Sequence, residues 1–267
     1  MTLARIFRTA FGRLSGAPSV PEGERVYAIG DIHGRLDLLD QMLNAISEDR
    51  ARLPDLQTNI IFLGDLVDRG PDSSGVIERL IDLDRDPRLF TSFILGNHDE
   101  VFLKAATGDK KALRFLIRIG GKETIISYGI SREEYASADL EQLSSMVREA
   151  VPAAHVAFLK SFQDYLVKGD YVFVHAGIKP GVDIGSQSPT DLRWIRKEFL
   201  ETRASHEKIV VHGHSISSRP AVRSNRIGID TGAFSSGRLT AVVLEGADRR
   251  FLEATGAPDP RWEGLTD

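Results

Sequence analysis

Apolar residues fall along this chain in two rhythms, and the points where one gives way to the other mark its elements. Short apolar runs at 25–29, 59–63, 89–95, 171–174, 208–211, 221–229 and 239–244 read as strands, whereas 36–47 and 73–83 carry apolar side chains at the three-and-four spacing of a helix. Strand and helix therefore alternate through the first hundred residues, the order of an α/β fold. Between 100 and 168 the pattern turns helical and charged, broken at 119–130 by "IGGKETIISYGI", which predicts an inserted helical cap.

The two ends read differently from the middle. Leu3, Ile6, Phe7, Ala10, Phe11 and Leu14 recur at helical spacing with Arg5, Arg8 and Arg13 between them, predicting a basic amphipathic helix over 3–14. It reads first as a terminal helix docked on the domain or frayed, and second as a contact for an anionic membrane surface. A linker with Pro18 and Pro21 follows. The main domain then runs from 24 to 246, and 247–267 reads as a polar tail.

Glycines and polar residues stand directly after the apolar runs, where open α/β sheets place their ligands. The segments are "GDIHG" (30–34), "GDLVDRG" (64–70), "GNHDE" (96–100), "VHAG" (174–177) and "VHGH" (211–214). Asp31 and His33, two apart on an extended segment, point to one side and can converge on one point. Taken singly, Asp31 or Asp65 serves equally well as a helix cap, and His98 with Asp68 as a structural pair. Taken together, Asp31, His33, Asp65, Asn97, His175 and His214 offer oxygen and imidazole donors without sulfur, a mixture that suits manganese, iron or zinc in a two-metal site better than calcium. Five of the seven histidines lie in these motifs, leaving only His155 and His206 elsewhere.

Composition narrows the chemistry. The 267 residues contain no cysteine, which removes thiolate ligands and every mechanism with a cysteine nucleophile. A net charge of −4 gives no electrostatic footprint for nucleic acid, so an anionic substrate needs a local cluster of positive charge. No apolar stretch approaches the roughly 18–20 residues of a membrane span, and a cytoplasmic location is expected.

The five motifs together resemble the signature of the calcineurin-like metallophosphoesterases, and GDIHG with GDLVDRG and GNHD is similar to the branch containing the serine/threonine protein phosphatases and their bacterial relatives. The similarity runs from about 25 to 245. It implies an α/β sandwich of two mixed sheets flanked by helices. It further implies two divalent metal ions, Mn2+ first and iron or zinc next, with Asp31, His33 and Asp65 holding one, Asp65, Asn97, His175 and His214 the other, and Asp65 bridging. By the same resemblance His98 is the general acid, Asp68 orients it, and Arg69 and Arg196 bind phosphate oxygens. Asp230, in "GIDTG", reads as support for the site, and His212 as a core residue behind the ligand His214.

The implied activity is hydrolysis of phosphomonoesters by direct attack of a hydroxide bridging the metals. Leu95-Gly96-Asn97-His98-Asp99 departs from the Arg-Gly-Asn-His-Glu usual in eukaryotic protein phosphatases and is more similar to bacterial symmetrical dinucleotide tetraphosphatases. "IGGKETIISYG" and "LRWIRKEFL" look more like bacterial protein phosphatases. The expected substrate is therefore a phosphoprotein bearing phosphoserine or phosphothreonine, with phosphotyrosine second, or a small phosphorylated molecule. Symmetrical cleavage of diadenosine tetraphosphate is the alternative, and a non-catalytic phosphate-binding module a third reading.

Overall fold

Two sheets account for every predicted strand and add three more. The structure, a computed structural model, describes residues 5–8 and 16–262. In chain order the first half runs β1 (Arg5–Arg8), β2 (Glu24–Ile29), α1 (Leu36–Arg52), β3 (Gln57–Phe62), α2 (Ser73–Asp84) and β4 (Phe90–Phe93). Six helices follow: α3 (Asn97–Ala106), α4 (Lys110–Ile119), α5 (Lys122–Ser127), α6 (Arg132–Ser137), α7 (Leu140–Ala150) and α8 (Ala153–Lys160). The rest comprises β5 (Tyr165–Lys168), β6 (Tyr171–Val174), α9 (Pro189–Trp194), α10 (Lys197–Glu201), β7 (Ile209–His212), β8 (Ala221–Val222), β9 (Arg226–Gly228), α11 (Ala233–Ser236), β10 (Arg238–Glu245) and β11 (Asp248–Thr255).

One sheet has the order β1-β11-β10-β2-β3-β4 and the other β5-β6-β7-β9-β8. Both are mixed. β2, β3 and β4 run parallel, as do β6, β7 and β9, and antiparallel strands complete each sheet. The period of two along a strand builds the layers: Val26 and Ala28 join Ile61, Phe173, Val211 and Val242 in the apolar layer between the sheets, while Tyr27 and Ile29 join Ile60, Phe62 and the helices outside. A third cluster, including Val172, Val210, Leu192 and Phe199, seats α9 and α10 on the far face of the second sheet. This is the two-sheet sandwich flanked by helices, with an additional helical insertion.

Three expectations are corrected and a fourth is refined. The amphipathic helix over 3–14 does not form at 5–8, which instead pair antiparallel with β11; the remainder of that segment lies outside the described residues. The polar tail contains β11, whose Phe251, Leu252 and Ala254 are buried and whose Arg250 pairs with Asp49 of α1 (2.7 and 2.5 Å). Charged residues interrupt its apolar ones, so a strand with one wet face reads as solvated tail. The run 221–229 is two short strands joined by a turn, and "IGGKETIISYGI" is a break at Gly120 and Gly121 followed by a helix, because Gly120 ends α4 in the left-handed conformation (φ 111°).

Candidate active site

The carboxyl ends of five strands meet at one edge of the sandwich. The loops after β2, β3 and β4 in one sheet, and after β6 and β7 in the other, carry the five motifs. Close approach of these loops depends on glycine: a side chain at Gly96 would collide with Asp65, and one at Gly213 with the Asp31 carboxylate. Among the described residues, the non-glycine positions with left-handed backbone are His33 (φ 47°), Asp65 (51°), Asp68 (74°), Arg69 (69°) and His214 (62°). Every one belongs to this edge. Such conformations cost about 1–3 kcal/mol each and persist only where surrounding structure imposes them.

Two groups of three buried side chains have their ligand atoms within 4.8 Å of one another: His33 with Asp65 and His98, and Asp65 with His175 and His214. Asp65 is common to both. Its Oδ2 lies 3.6 Å from His33 Nε2 and 3.4 Å from His175 Nε2, while Oδ1 accepts the His98 backbone N–H (2.9 Å). Backbone carbonyls fix the rings, since the Val67 carbonyl takes the Nδ1 proton of His33 (2.7 Å) and the Leu63 carbonyl that of His175 (2.8 Å). Asn97 Oδ1 lies 2.8 Å from His175 Nε2. Asp31 stands outside both groups; its carboxylate accepts the backbone N–H of His214 (3.2 and 3.1 Å).

The donor set fits a pair of divalent cations. Burial and the neighbouring Asp230 push the Asp31 carboxyl well above its ordinary range, so this cluster is short of positive charge. Burial works against the charge on His175, yet Asp65 beside it raises that ring to about 9, a proton serving as the local countercharge. His214 is pushed down to about 2 by burial and by His175, and its Nε2 is buried without a hydrogen-bond partner. A neutral imidazole with an unused lone pair beside crowded carboxylates is a ligand in waiting. These are two metal-binding triads sharing one carboxylate, the arrangement of a dinuclear metal-dependent hydrolase.

His98 and Asp68 meet directly, Nδ1 to Oδ2 at 2.7 Å, both fully enclosed. Arg69 reaches His98 Nε2 (3.1 Å) and His33 Nε2 (3.3 Å), with its guanidinium 4.4 Å above the Phe234 ring. Arg196 sits between α9 and α10, and its charge is among those that hold His214 down. His212 faces away, its ring edge-on to Phe199 (5.0 Å).

Two further residues of the cluster are not among those that the sequence reading singles out. Thr124 of α5 donates its hydroxyl to Asp68 Oδ1 (2.7 Å) and accepts the Asp68 N–H (2.8 Å). Asp99 accepts the Leu66 N–H (2.9 Å) and the Gly96 N–H (3.2 Å), tying the second motif to the third; burial and Asp65 push it up to about 7. Asp99 could have been found, because it closes "GNHD". Thr124 could not, since it lies in the cap, far along the chain from its partner.

Comparison with known proteins agrees with this geometry. A bis(5'-nucleosyl)-tetraphosphatase PrpE [asymmetrical] of Anoxybacillus flavithermus is 25% identical over 234 residues, covering 80% of this chain and 88% of that one. A symmetrical bis(5'-nucleosyl)-tetraphosphatase of Ralstonia nicotianae is 27% identical, covering 87% of this chain and 70% of its own. Among solved structures, a candidate diadenosine tetraphosphatase superposes with a TM-score of 0.60 at 22% identity, covering 90% of this chain and all of the other. The cold-active protein-tyrosine phosphatase of a psychrophilic Shewanella superposes at 0.55 with 16% identity, covering 85% of this chain and 78% of the other, a likeness of fold. Residues 24–234 match the sequence profile of the calcineurin-like phosphoesterases, and with the shared-carboxylate site built from those same residues the chain belongs to that family.

Proposed function

We propose that this protein hydrolyses the phosphate bridge of dinucleoside tetraphosphates. The observation that carries the substrate is the likeness to tetraphosphatases over about four-fifths of this chain. It displaces phosphoserine and phosphothreonine as first substrates, because the likeness to a solved protein phosphatase is one of fold alone. Several relatives, among them one of Bacillus cereus at 29% identity, are named as asymmetrical enzymes, and unequal cleavage to a nucleoside monophosphate and a nucleoside triphosphate is the expected outcome.

In this reading Asp31, His33, Asp65, Asn97, His175 and His214 hold two divalent cations, manganese first. When bound, they supply Lewis acidity and make water a nucleophile at neutral pH. The chain's own groups do the rest. Water adds to phosphorus, the bridging P–O bond breaks, and His98 Nε2 delivers a proton to the departing oxygen while Asp68 stabilises the ring's charge. Arg69 turns from His98 and His33 to the non-bridging oxygens, joined by Arg196. The test is a product assay with manganese: diadenosine tetraphosphate should yield AMP and ATP. Two molecules of ADP would mark symmetrical cleavage, and an intact dinucleotide alongside rapid hydrolysis of phosphoserine or phosphotyrosine peptides would overturn the substrate.

A further inference from the structure

The mouth of the site is rimmed by a chain of contacts that the catalytic groups do not use. Arg69 donates its backbone N–H to the carbonyl of Gly120 (3.0 Å), the residue that ends α4. On that helix Phe115 meets Trp194, the last residue of α9, with ring centroids 6.0 Å apart and planes tilted by 40°. Trp194 Nε1–H reaches Glu100 (3.4 Å), three residues beyond Asn97, and Arg196 follows two residues after Trp194. The two aromatic rings are therefore carried by segments that run on to Gly120, bonded to the Arg69 backbone, and to Arg196.

Packing does not explain Phe115. Leu113 and Leu116 anchor α4 to the core, whereas Phe115 turns outward with 37% of its surface exposed, in company with Lys111, Arg114 and Arg118. Among the described residues the other exposed large hydrophobics are Phe90 and Val167, both on strands. The nearby acid, Glu100, is neutralised by Lys104 (2.7 Å) and Arg193 (3.2 Å). In a chain of net charge −4 this leaves a local surface that is aromatic and positive. Phe115 lies five residues, about 7.5 Å of helix rise, from Gly120 beside Arg69. A flat heteroaromatic ring joined to a run of phosphates matches both properties at once.

We propose that Phe115 and Trp194 form a platform for the purine base of a nucleoside polyphosphate, with Arg118 meeting the phosphates between the base and the metal-binding triads. The proposal rests on the nucleotide reading above and adds to it the residues that read the nucleoside. It is tested by competition against hydrolysis of para-nitrophenyl phosphate in excess manganese, with ATP and inorganic tripolyphosphate as inhibitors, since these carry the same phosphate run with and without the nucleoside. ATP should inhibit the wild type about tenfold more tightly. Phe115→Ala should bring the ratio of the two inhibition constants close to one, and Phe115→Tyr and Phe90→Ala should leave it unchanged. The ratio cancels any general loss of activity. Equal inhibition by the two compounds in the wild type, or a ratio untouched by Phe115→Ala, overturns the platform. Failure to cleave diadenosine tetraphosphate overturns the substrate instead, because the ratio reports recognition of the base whichever ester is hydrolysed.

Discussion

Asp65 holds three histidines with one carboxylate, and its charge decides whether the site exists. Burial opposes that charge, but His175, His98 and His33 together keep the carboxyl well below its ordinary range. Its backbone carbonyl also accepts the N–H groups of Ile32 and His33 (3.1 and 2.9 Å), so side chain and main chain both draw the first two motifs together. Asp65→Asn should therefore lower the content of both metals at once, measured per chain by elemental analysis, with hydrolysis falling in step. Retention of two metals at near-normal rate would remove Asp65 from its shared role. His98→Asn keeps a polar group of similar reach but loses the proton, and should slow hydrolysis by roughly 10² to 10⁴ while metal content holds. The loss should be full for a phosphoserine peptide, whose departing alkoxide needs a proton, and should shrink for para-nitrophenyl phosphate, whose leaving group does not. Equal losses on both substrates, with chemistry limiting, would count against His98 as the donor. These residues were legible in the sequence because each sits within a few positions of a strand end, where local spacing reports direction.

At the scale of elements, the cap is part of the site rather than a cover over it. α5 places Thr124 against Asp68, and the same threonine bonds Ser73 at the start of α2 (2.8 Å), so three elements share one buried hydroxyl contact. Thr124→Val preserves shape and removes that donor, leaving Asp68 Oδ1 without this bond. Hydrolysis of substrates with poor leaving groups should fall about tenfold, that of para-nitrophenyl phosphate should change little, and Thr124→Ser should restore the difference. A uniform loss across substrates would make Thr124 a packing residue only. This contact joins positions 56 apart and has no periodic or motif signature, so it becomes visible only once the fold brings α5 back over the second loop. The alternating strands and helices were readable for the opposite reason: their signals are local. β5 gives no such signal because it lies at the edge of its sheet, where Tyr165, Leu166, Val167 and Lys168 are at most partly buried.

For the whole molecule, β11 carries more of the structure than its composition suggests. It lies between β1 and β10, and its apolar residues close the layers on either side of the sheet. A chain ended at Gly246, where the sequence alone places the domain boundary, should lose cooperative unfolding or melt well below the full-length protein, as read by circular dichroism. An unchanged melting curve would return that strand to the status of an appendage. Among the described residues no helix is long and apolar enough to cross a membrane.

The left-handed backbone at His33, Asp65, Asp68, Arg69 and His214 has a historical consequence. At each of these positions glycine would relieve strain that the present side chain imposes, so selection for chemistry and selection for a sturdier fold pull in opposite directions. While hydrolysis matters, the side chains stay. In a descendant that kept this architecture for binding alone, these are the places where glycine would be free to accumulate, and its arrival there would date the loss of the reaction.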